Sequence, residues 1–278
     1  MKPLLILPPA SARWRSLADL LGQQDAAIVR DAELRFSEGV AGATDAFALI
    51  VDGGLSIACA SITRRNDVGV LGYVVTRPTH RGKGLAAELI ESLIAWFDMT
   101  DGRWLYCATA GAAAGRLCDR YGFRVLHVLS RDGREDVFLQ RAVDVMIPSP
   151  FEALRGDEKI RDVTRADWPL LVSLLQHRPG HDPRATPDES AIGAEEFALR
   201  LVDDQEQGKC KLLAAWHDGH ITAFGTVAVD PLGDKTYAML IPFGDAPPAL
   251  RAALISEGEA KGYRTVEFPM EAVAKPGG

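Results

Sequence analysis

Arg81 and Lys83, alternating with Gly82 and Gly84, are the residues of this sequence best suited to holding an anion. They lie in Arg77-Pro-Thr-His-Arg-Gly-Lys-Gly-Leu-Ala-Ala-Glu88, between an apolar run at 70–76 and a stretch of helical periodicity. In that stretch Leu85, Leu89, Leu93 and Trp96 share one side, with Ala86, Ile90, Ile94 and Phe97 beside them. Glycine at 82 and 84 removes the Cβ atoms that would keep an anion off the backbone, and permits φ angles that other residues resist. The first N–H groups of a helix lack intrahelical partners and sit at the positive end of its dipole. Arg81 and Lys83 add fixed positive charge at the same mouth. Strand, glycine turn and helix start therefore predict a phosphate cradle at residues 81–86. The plain alternative is a solvated turn carrying two basic residues.

Two other phosphate loops fit less well. A P-loop requires G-x-x-x-x-G-K-[ST], a string the chain does not contain. Gly82-Lys-Gly-Leu-Ala-Ala87 reads as the dinucleotide pattern G-x-G-x-x-A. That fold places the loop tight against its strand and ends the next strand on an acid. Here Pro78 and its neighbours intervene, and the next predicted strand, 103–109, carries no Asp or Glu.

The loop sits in a segment that resembles the GNAT acetyltransferases. Arg81-Gly-Lys-Gly-Leu-Ala86 is similar to that family's R-x-x-G-x-[GA] acyl-CoA signature, with Arg81, Gly84 and Ala86 at its defining positions. Downstream, Ala113-Ala-Gly-Arg-Leu-Cys-Asp-Arg-Tyr-Gly-Phe123 resembles the later segment A-A-x-x-L-Y-x-x-x-G-F. The resemblance implies that Arg81, Gly82, Lys83, Gly84, Leu85 and Ala86 hold the pyrophosphate of acetyl-CoA or another acyl-CoA. It also implies that the strand before the loop offers a main-chain N–H, from Val75 or a neighbour, to the thioester carbonyl. The chain departs from the pattern at three places. Cys118 stands where the family commonly has the Tyr that protonates coenzyme A, with Tyr121 three residues on. Gly111 replaces an Asn, and a Glu common before the loop is missing around Gly69 and Leu71. Cys118 and Tyr121 are the candidate acids; for Cys118 the bland reading is a small packed residue on an Ala-rich helix.

Three functions follow from the resemblance. The first is an N-acetyltransferase moving an acyl group from acetyl-CoA to an amine of a small molecule or peptide. The others are a catalytically inactive acyl-CoA-binding regulatory protein and a GNAT-fold acyl-CoA decarboxylase.

The remaining titratable residues offer little chemistry. His177 and His181 are four apart, but Pro179-Gly180 between them excludes a shared helix face, and His217 and His220 bracket a turn. No metal site is expected from either pair. His80 lies beside the loop, to contact phosphate or water; His127 lies in a predicted strand, as a cleft base or a satisfied core residue.

At 278 residues the chain is long enough for two domains. Residues 1–143 carry 17 Lys and Arg against 16 Asp and Glu, whereas residues 144–278 carry 14 against 22. The acidic half argues against a nucleic-acid partner, and is either a solvated surface or an attraction for a cationic substrate. No apolar run reaches membrane-spanning length, and the N-terminus does not read as a signal peptide. The four cysteines show no CxxC spacing, so a reduced cytoplasmic setting is the expectation.

The order of elements predicts an α/β (α+β) architecture, mixed sheets covered by helices. Residues 1–143 read as the GNAT-like domain with the acyl-CoA loop. Residues 144–158 read as a linker around Pro148 and Pro150. From 159 to 278 the pattern restarts as a shortened, degenerate GNAT-like domain. The hairpins 46–62 and 211–229, each turning on Asp-Gly, carry the parallel. It breaks at Pro242-Phe-Gly-Asp-Ala-Pro-Pro248, which is acidic where the first half is basic. The shortened unit leaves an edge that a second copy can cover, giving a homodimer. Locally, Ser11 is expected to cap a first helix that Gly22 ends. Thr164 or Asp167 is expected to cap a helix in the second half, and His177–Ser190 reads as a loop.

Overall fold

The computed structural model describes residues 2–110, 112–131, 134–144, 146, 151, 157–177, 193–229, 237–243, 246–262 and 264–267. The chain divides into two compact units, Met1–Ile147 and Pro148–Gly278. Gly111, the segment 178–192 and most of 144–158 lie outside the described residues.

The first unit runs β1 (Leu4–Ile6), α1 (Trp14–Leu21), α2 (Ala26–Ser37), β2 (Thr44–Asp52), β3 (Leu55–Arg65) and β4 (Val68–Thr76). It continues with α3 (Leu85–Asp98), β5 (Trp104–Ala110), α4 (Ala112–Asp119), β6 (Arg124–Arg131) and β7 (Arg134–Ala142). Its seven strands form one sheet in the order β1-β2-β3-β4-β5-β7-β6. Neighbours are antiparallel except β4 and β5, which α3 joins as a parallel crossover. The mixed sheet covered by helices is the architecture expected from the sequence.

Strand β2 shows why helices cover both faces. Successive side chains of a strand point to opposite sides. Ala46, Ala48 and Ile50 join a core with Leu89, Ile90 and Leu93 of α3, whereas Phe47 and Leu49 join another with Leu17, Leu21 and Phe36. Gly53 and Gly54, both at positive φ, close the β2–β3 hairpin as a tight two-residue turn. One local expectation is corrected, and a second, Gly22 as the end of α1, holds by a different route. Ser11 opens a short 3-10 turn instead of capping α1, and no side chain caps that turn. Gly22 follows α1 at φ −60°, a right-handed residue with no need of glycine's freedom.

The second unit runs β8 (Lys159–Asp162), α5 (Trp168–His177), α6 (Ala194–Glu206), β9 (Cys210–His217), β10 (His220–Val229), β11 (Tyr237–Phe243), α7 (Pro248–Ala260) and β12 (Arg264–Glu267). Thr164 and Asp167 together form the capping box ahead of α5: the Thr164 N–H donates to Asp167 at 2.9 Å and its hydroxyl at 2.7 Å. The sheet order is β12-β11-β10-β9-β8, antiparallel throughout except β11 with β12. From β8 to β12 the element order and pairing repeat those of β1 to β5. The repeat extends to detail, because Asp218 and Gly219 close the β9–β10 turn at positive φ. In both hairpins the second strand then carries one extra residue, Ile57 in β3 and Thr222 in β10. Pro242, expected in the loop after β11, instead lies within it opposite Gly225, beyond Leu240, the last residue paired with β12.

Gly69 explains one departure noted in the sequence. A Cβ built there would lie 2.7 Å from the Phe97 ring and 3.1 Å from Leu105, so α3 packs where a larger residue would stand. Gly69→Ala is expected to destabilise the unit by about 1–3 kcal/mol, read from urea unfolding. An unchanged midpoint would show that the ring moves aside freely.

Candidate active site

Strand β4 pairs with β5 only at Val68↔Trp104, Gly69↔Leu105 and Val70↔Tyr106, although it continues to Thr76. Its other edge stays on β3, but with a break in register. Cys59 faces Val75 and Ser61 faces Gly72, so β4 spends three steps where β3 spends two. This bulge contains Tyr73 at φ +51°, a costly conformation for an aromatic residue.

Tyr73 is held there from three directions. Its ring stacks on Phe47, with centroids 6.2 Å apart and planes at 10°. Its hydroxyl donates to Asp31 Oδ2 at 3.1 Å, and its carbonyl accepts the Cys59 thiol at 3.2 Å. Asp31 in turn accepts from Arg35 Nε at 2.5 Å, and Arg35 Nη1 lies 3.6 Å from Asp45, which accepts from the Thr63 hydroxyl at 2.6 Å. All three charged groups are buried, Arg35 with no exposed side-chain surface. Burial acts to lower the Arg35 pKa, but Asp31 and Asp45 outweigh it and raise it. Burial raises Asp45, with Arg35 opposing.

Where β4 leaves β5 a cleft of about 500 Å³ opens. Its walls include Val74, Val75 and Thr76 from β4, His80, Arg81, Gly82 and Gly84 from the loop, and Leu85, Ala86 and Ala87 from α3. Gly82 and Gly84 have φ +76° and +79°, and a Cβ at either would meet nothing within 4 Å. They are glycine because of backbone conformation, and the space above them is open. Gly84 is the N-cap of α3 and no side chain caps it, so the first N–H groups of the helix face that space. Arg81 is exposed and donates from Nε to the Thr76 carbonyl at 3.2 Å; Lys83 is exposed on the same turn. The base of the loop is tied to β3. The Arg77 main-chain N–H and Nε donate to the carbonyls of Ile57 and Ser56 at 2.9 Å each, and its guanidinium pairs with Asp19 of α1. His80 lies 4.0 Å from Asp52 and lines the cleft.

Val75, Arg81, Gly82, Gly84, Leu85 and Ala86 therefore meet at one cleft, with Lys83 at its mouth. The two candidate acids lie differently. Cys118 is 4% exposed in the core. A hydrogen bond with Cys107 holds its thiol below the ordinary value, against burial. Tyr121 is half-buried and donates from its hydroxyl to the carbonyl of Ala87, a cleft residue, at 3.0 Å. Burial and the charge of Glu91 raise its pKa. Residues not anticipated from sequence also line the cleft: Gln24, and Leu117 with Arg120 from the α4 region. The last two were legible in principle, since positions three apart share a helix face. The Tyr73–Asp31–Arg35 chain had no local signal. Among the described residues no group of three or more His, Cys, Asp or Glu could hold a metal ion, and no helix is long and apolar enough to cross a membrane.

Residues 15–123 match the model of the acetyltransferase (GNAT) family. Those residues are a GNAT acetyltransferase-family domain. The matched stretch begins in α1 and ends at Phe123, so it takes in both the 81–86 loop and the 113–123 segment. Similar solved structures include a GNAT superfamily phosphinothricin acetyltransferase from Sinorhizobium meliloti in complex with AcCoA. It is 21% identical over 56% of this chain and 97% of its own, with a TM-score of 0.42. A ribosomal-protein-alanine N-acetyltransferase from Brucella melitensis is 18% identical over 50% and 99%, with a TM-score of 0.40. Escherichia coli ElaA is 15% identical over 51% and 99%, also at 0.40. No curated protein matches the sequence significantly.

Burial beside the β4 bulge sets the chemistry of Cys59. Burial pushes its thiol up to about 12, partly offset by a backbone hydrogen bond at Val75. An exposed thiol has a pKa of about 8.5 and ionises appreciably at pH 8. Cys59 is therefore expected to resist iodoacetamide at pH 8 in the folded protein and to react after guanidinium unfolding, as read by peptide mass mapping. Native labelling would show that the bulge opens.

Proposed function

We propose that the N-terminal unit is an N-acyltransferase that moves the acyl group of acetyl-CoA, or another acyl-CoA, to an amine of a small molecule or peptide. The observation that carries this reading is the meeting, on one cleft, of the uncapped start of α3 with the bulged, half-paired end of β4. Backbone donors, Arg81 and Lys83 suit the pyrophosphate at residues 81–86. The freed edge of β4 suits the thioester, with a main-chain N–H next to Val75, whose own N–H lies against the Cys59 thiol, meeting its carbonyl oxygen.

In this reading a neutral amine attacks the thioester carbon, and negative charge develops on the oxygen held by β4. The carbon–sulfur bond then breaks, the amine loses its proton to solvent, and the departing thiolate takes one up. Of the two candidate acids, Tyr121 is favoured for that last step. Its hydroxyl already reaches a cleft residue, and its raised pKa keeps it protonated at neutral pH. The seclusion of Cys118 in the core supports a packing role, and if Tyr121 also proves silent it favours the second reading, an acyl-CoA-binding protein without turnover.

The second unit is proposed as a degenerate copy of the first. The repeated strand order and the matching hairpin bulge support it. Its β10–β11 register runs unbroken from Phe224↔Phe243 to Val229↔Ala238, with no second bulge, and the sequence at 242–248 has no Arg or Lys. A single donor site per chain follows. The four cysteines are free and buried, which suits a reducing cytoplasm.

Calorimetric titration with acetyl-CoA and with CoA tests the reading: one site per chain is expected, and no binding of either would sink it. Gly84→Glu places bulk and negative charge in the cradle. It is expected to weaken acetyl-CoA by on the order of 100-fold, and, because position 84 lies at φ +79°, to cost the unit about 1–2 kcal/mol of stability while leaving it folded. Unchanged affinity would move the donor elsewhere. With an acceptor from an amine panel, Tyr121→Phe is expected to slow turnover roughly 10–100-fold at unchanged donor affinity, and Cys118→Ala to leave it intact. The reverse result would exchange their roles.

A further inference from the structure

The Asp31–Arg35 pair lies on α2, away from the signature loop, yet it ends on the strand that forms the other wall of the cleft. We propose that this pair, acting through the Tyr73 hydroxyl, sets the bulged backbone of β4 in the conformation that meets the acyl thioester, so that Tyr73 is a positioning residue for the reaction. The inference rests on the function proposed above.

The argument starts from φ. Tyr73 sits at +51°, where an L-residue with a large ring is disfavoured, so something outside the strand must keep it there. The β-ladder does not, because the register breaks between Cys59 and Ser61 across this residue. What remains are the stacking on Phe47, the thiol of Cys59 on the Tyr73 carbonyl, and the hydroxyl bond to Asp31. Of these the hydroxyl bond is aimed by charge. Asp31 Oδ2 accepts from both Tyr73 and Arg35, and Arg35 is fully buried with Asp45 as its second carboxylate. A buried ion pair has few alternative arrangements, since separating it would leave a charge without compensation. That rigidity passes to the Tyr73 ring, then to its peptide groups, and then to Val74 and Val75, which line the cleft one and two residues later. An oxyanion donor must be held close to its working position before the reaction, and an unpaired strand edge cannot do this alone.

The test is the infrared carbonyl stretch of acetyl-CoA labelled with carbon-13 at the acetyl carbonyl, bound to the full chain, with CoA affinity measured in parallel. Bound to the wild type, the stretch is expected below its frequency in water-free solvent, as an N–H bond to the oxygen requires. In Tyr73→Phe, which keeps the ring, the frequency is expected to return towards the unbonded value. Acetyl-CoA is expected to weaken about fivefold, and free CoA to bind as before. Cys59→Ala, which removes the other polar tether of Tyr73, is expected to shift the band in the same direction by less, and serves if the first variant does not fold. An unshifted band in both variants overturns the positioning role. A wild-type band with no bound shift, despite binding, overturns the inference while leaving acyl-CoA binding in place. Failure of the wild type to bind acetyl-CoA overturns the proposed function and this inference with it.

Discussion

Strand β4 has a partner on both edges over only its first three residues, and the cleft is a consequence of that arrangement. A strand that leaves its neighbour exposes a row of N–H and C=O groups, which costs free energy unless water or a ligand takes the ladder's place. The divergence places that row opposite the start of α3, where the helix has its own unpaired N–H groups. An unpaired strand edge and an uncapped helix start thus border one space. No side chain is needed to create either, which is why the polar character of the cleft depends so little on residue type beyond the glycines.

Keeping such a strand in place demands contacts at right angles to the ladder, and the buried charges supply them. Arg35, Asp31 and Asp45 join α2 to β2, while Thr63 and Tyr73 extend the connection to β3 and β4. An apolar cluster of the same volume would stabilise the unit about as well or better. It would not fix where the Tyr73 hydroxyl goes. Arg77 performs a related task at the other end of β4, tying the base of the loop to two carbonyls of β3 and to Asp19 on α1. The strand is therefore held at its bulge and at its exit, and left unpaired between β4 and β5 where the cleft lies.

The parts of this arrangement that were legible in the sequence are those whose cause is local. Gly82 and Gly84 announce the loop because φ angles of +76° and +79° fall on them. The Asp-Gly turns announce the hairpins, and the Leu and Ile spacing announces α3, because each is a demand made by one or a few neighbouring residues. Ser11 shows the limit of the same reasoning: it is a suitable residue type at a suitable place, and the helix does not use it as a cap. What could not be read depends on partners far along the chain. The insertion of β7 between β5 and β6 is one case. The depth of Cys118, set by the cores of α3 and β5, is another, and so is the conformation of Tyr73, set by residues 26 and 42 positions earlier. Gly69, where an acid is missing, is demanded by the Phe97 ring packed against it.

The second unit separates what makes the fold from what makes the cleft. It has the same strand order, the same tight turn and the same extra residue after that turn, so these features belong to the sheet and to the hairpin that starts it. It lacks the three-against-two step between its third and fourth strands. Phe224 pairs with Phe243 as Cys59 pairs with Val75, but from there to the next matched pair β10 and β11 advance together. With no extra residue, nothing turns the peptide groups of β11 out of the ladder, and Pro242 removes a donor from the same stretch. Among the described residues the β10–β11 pair has no such bulge, and the sequence after it has no basic glycine loop; the first unit holds both.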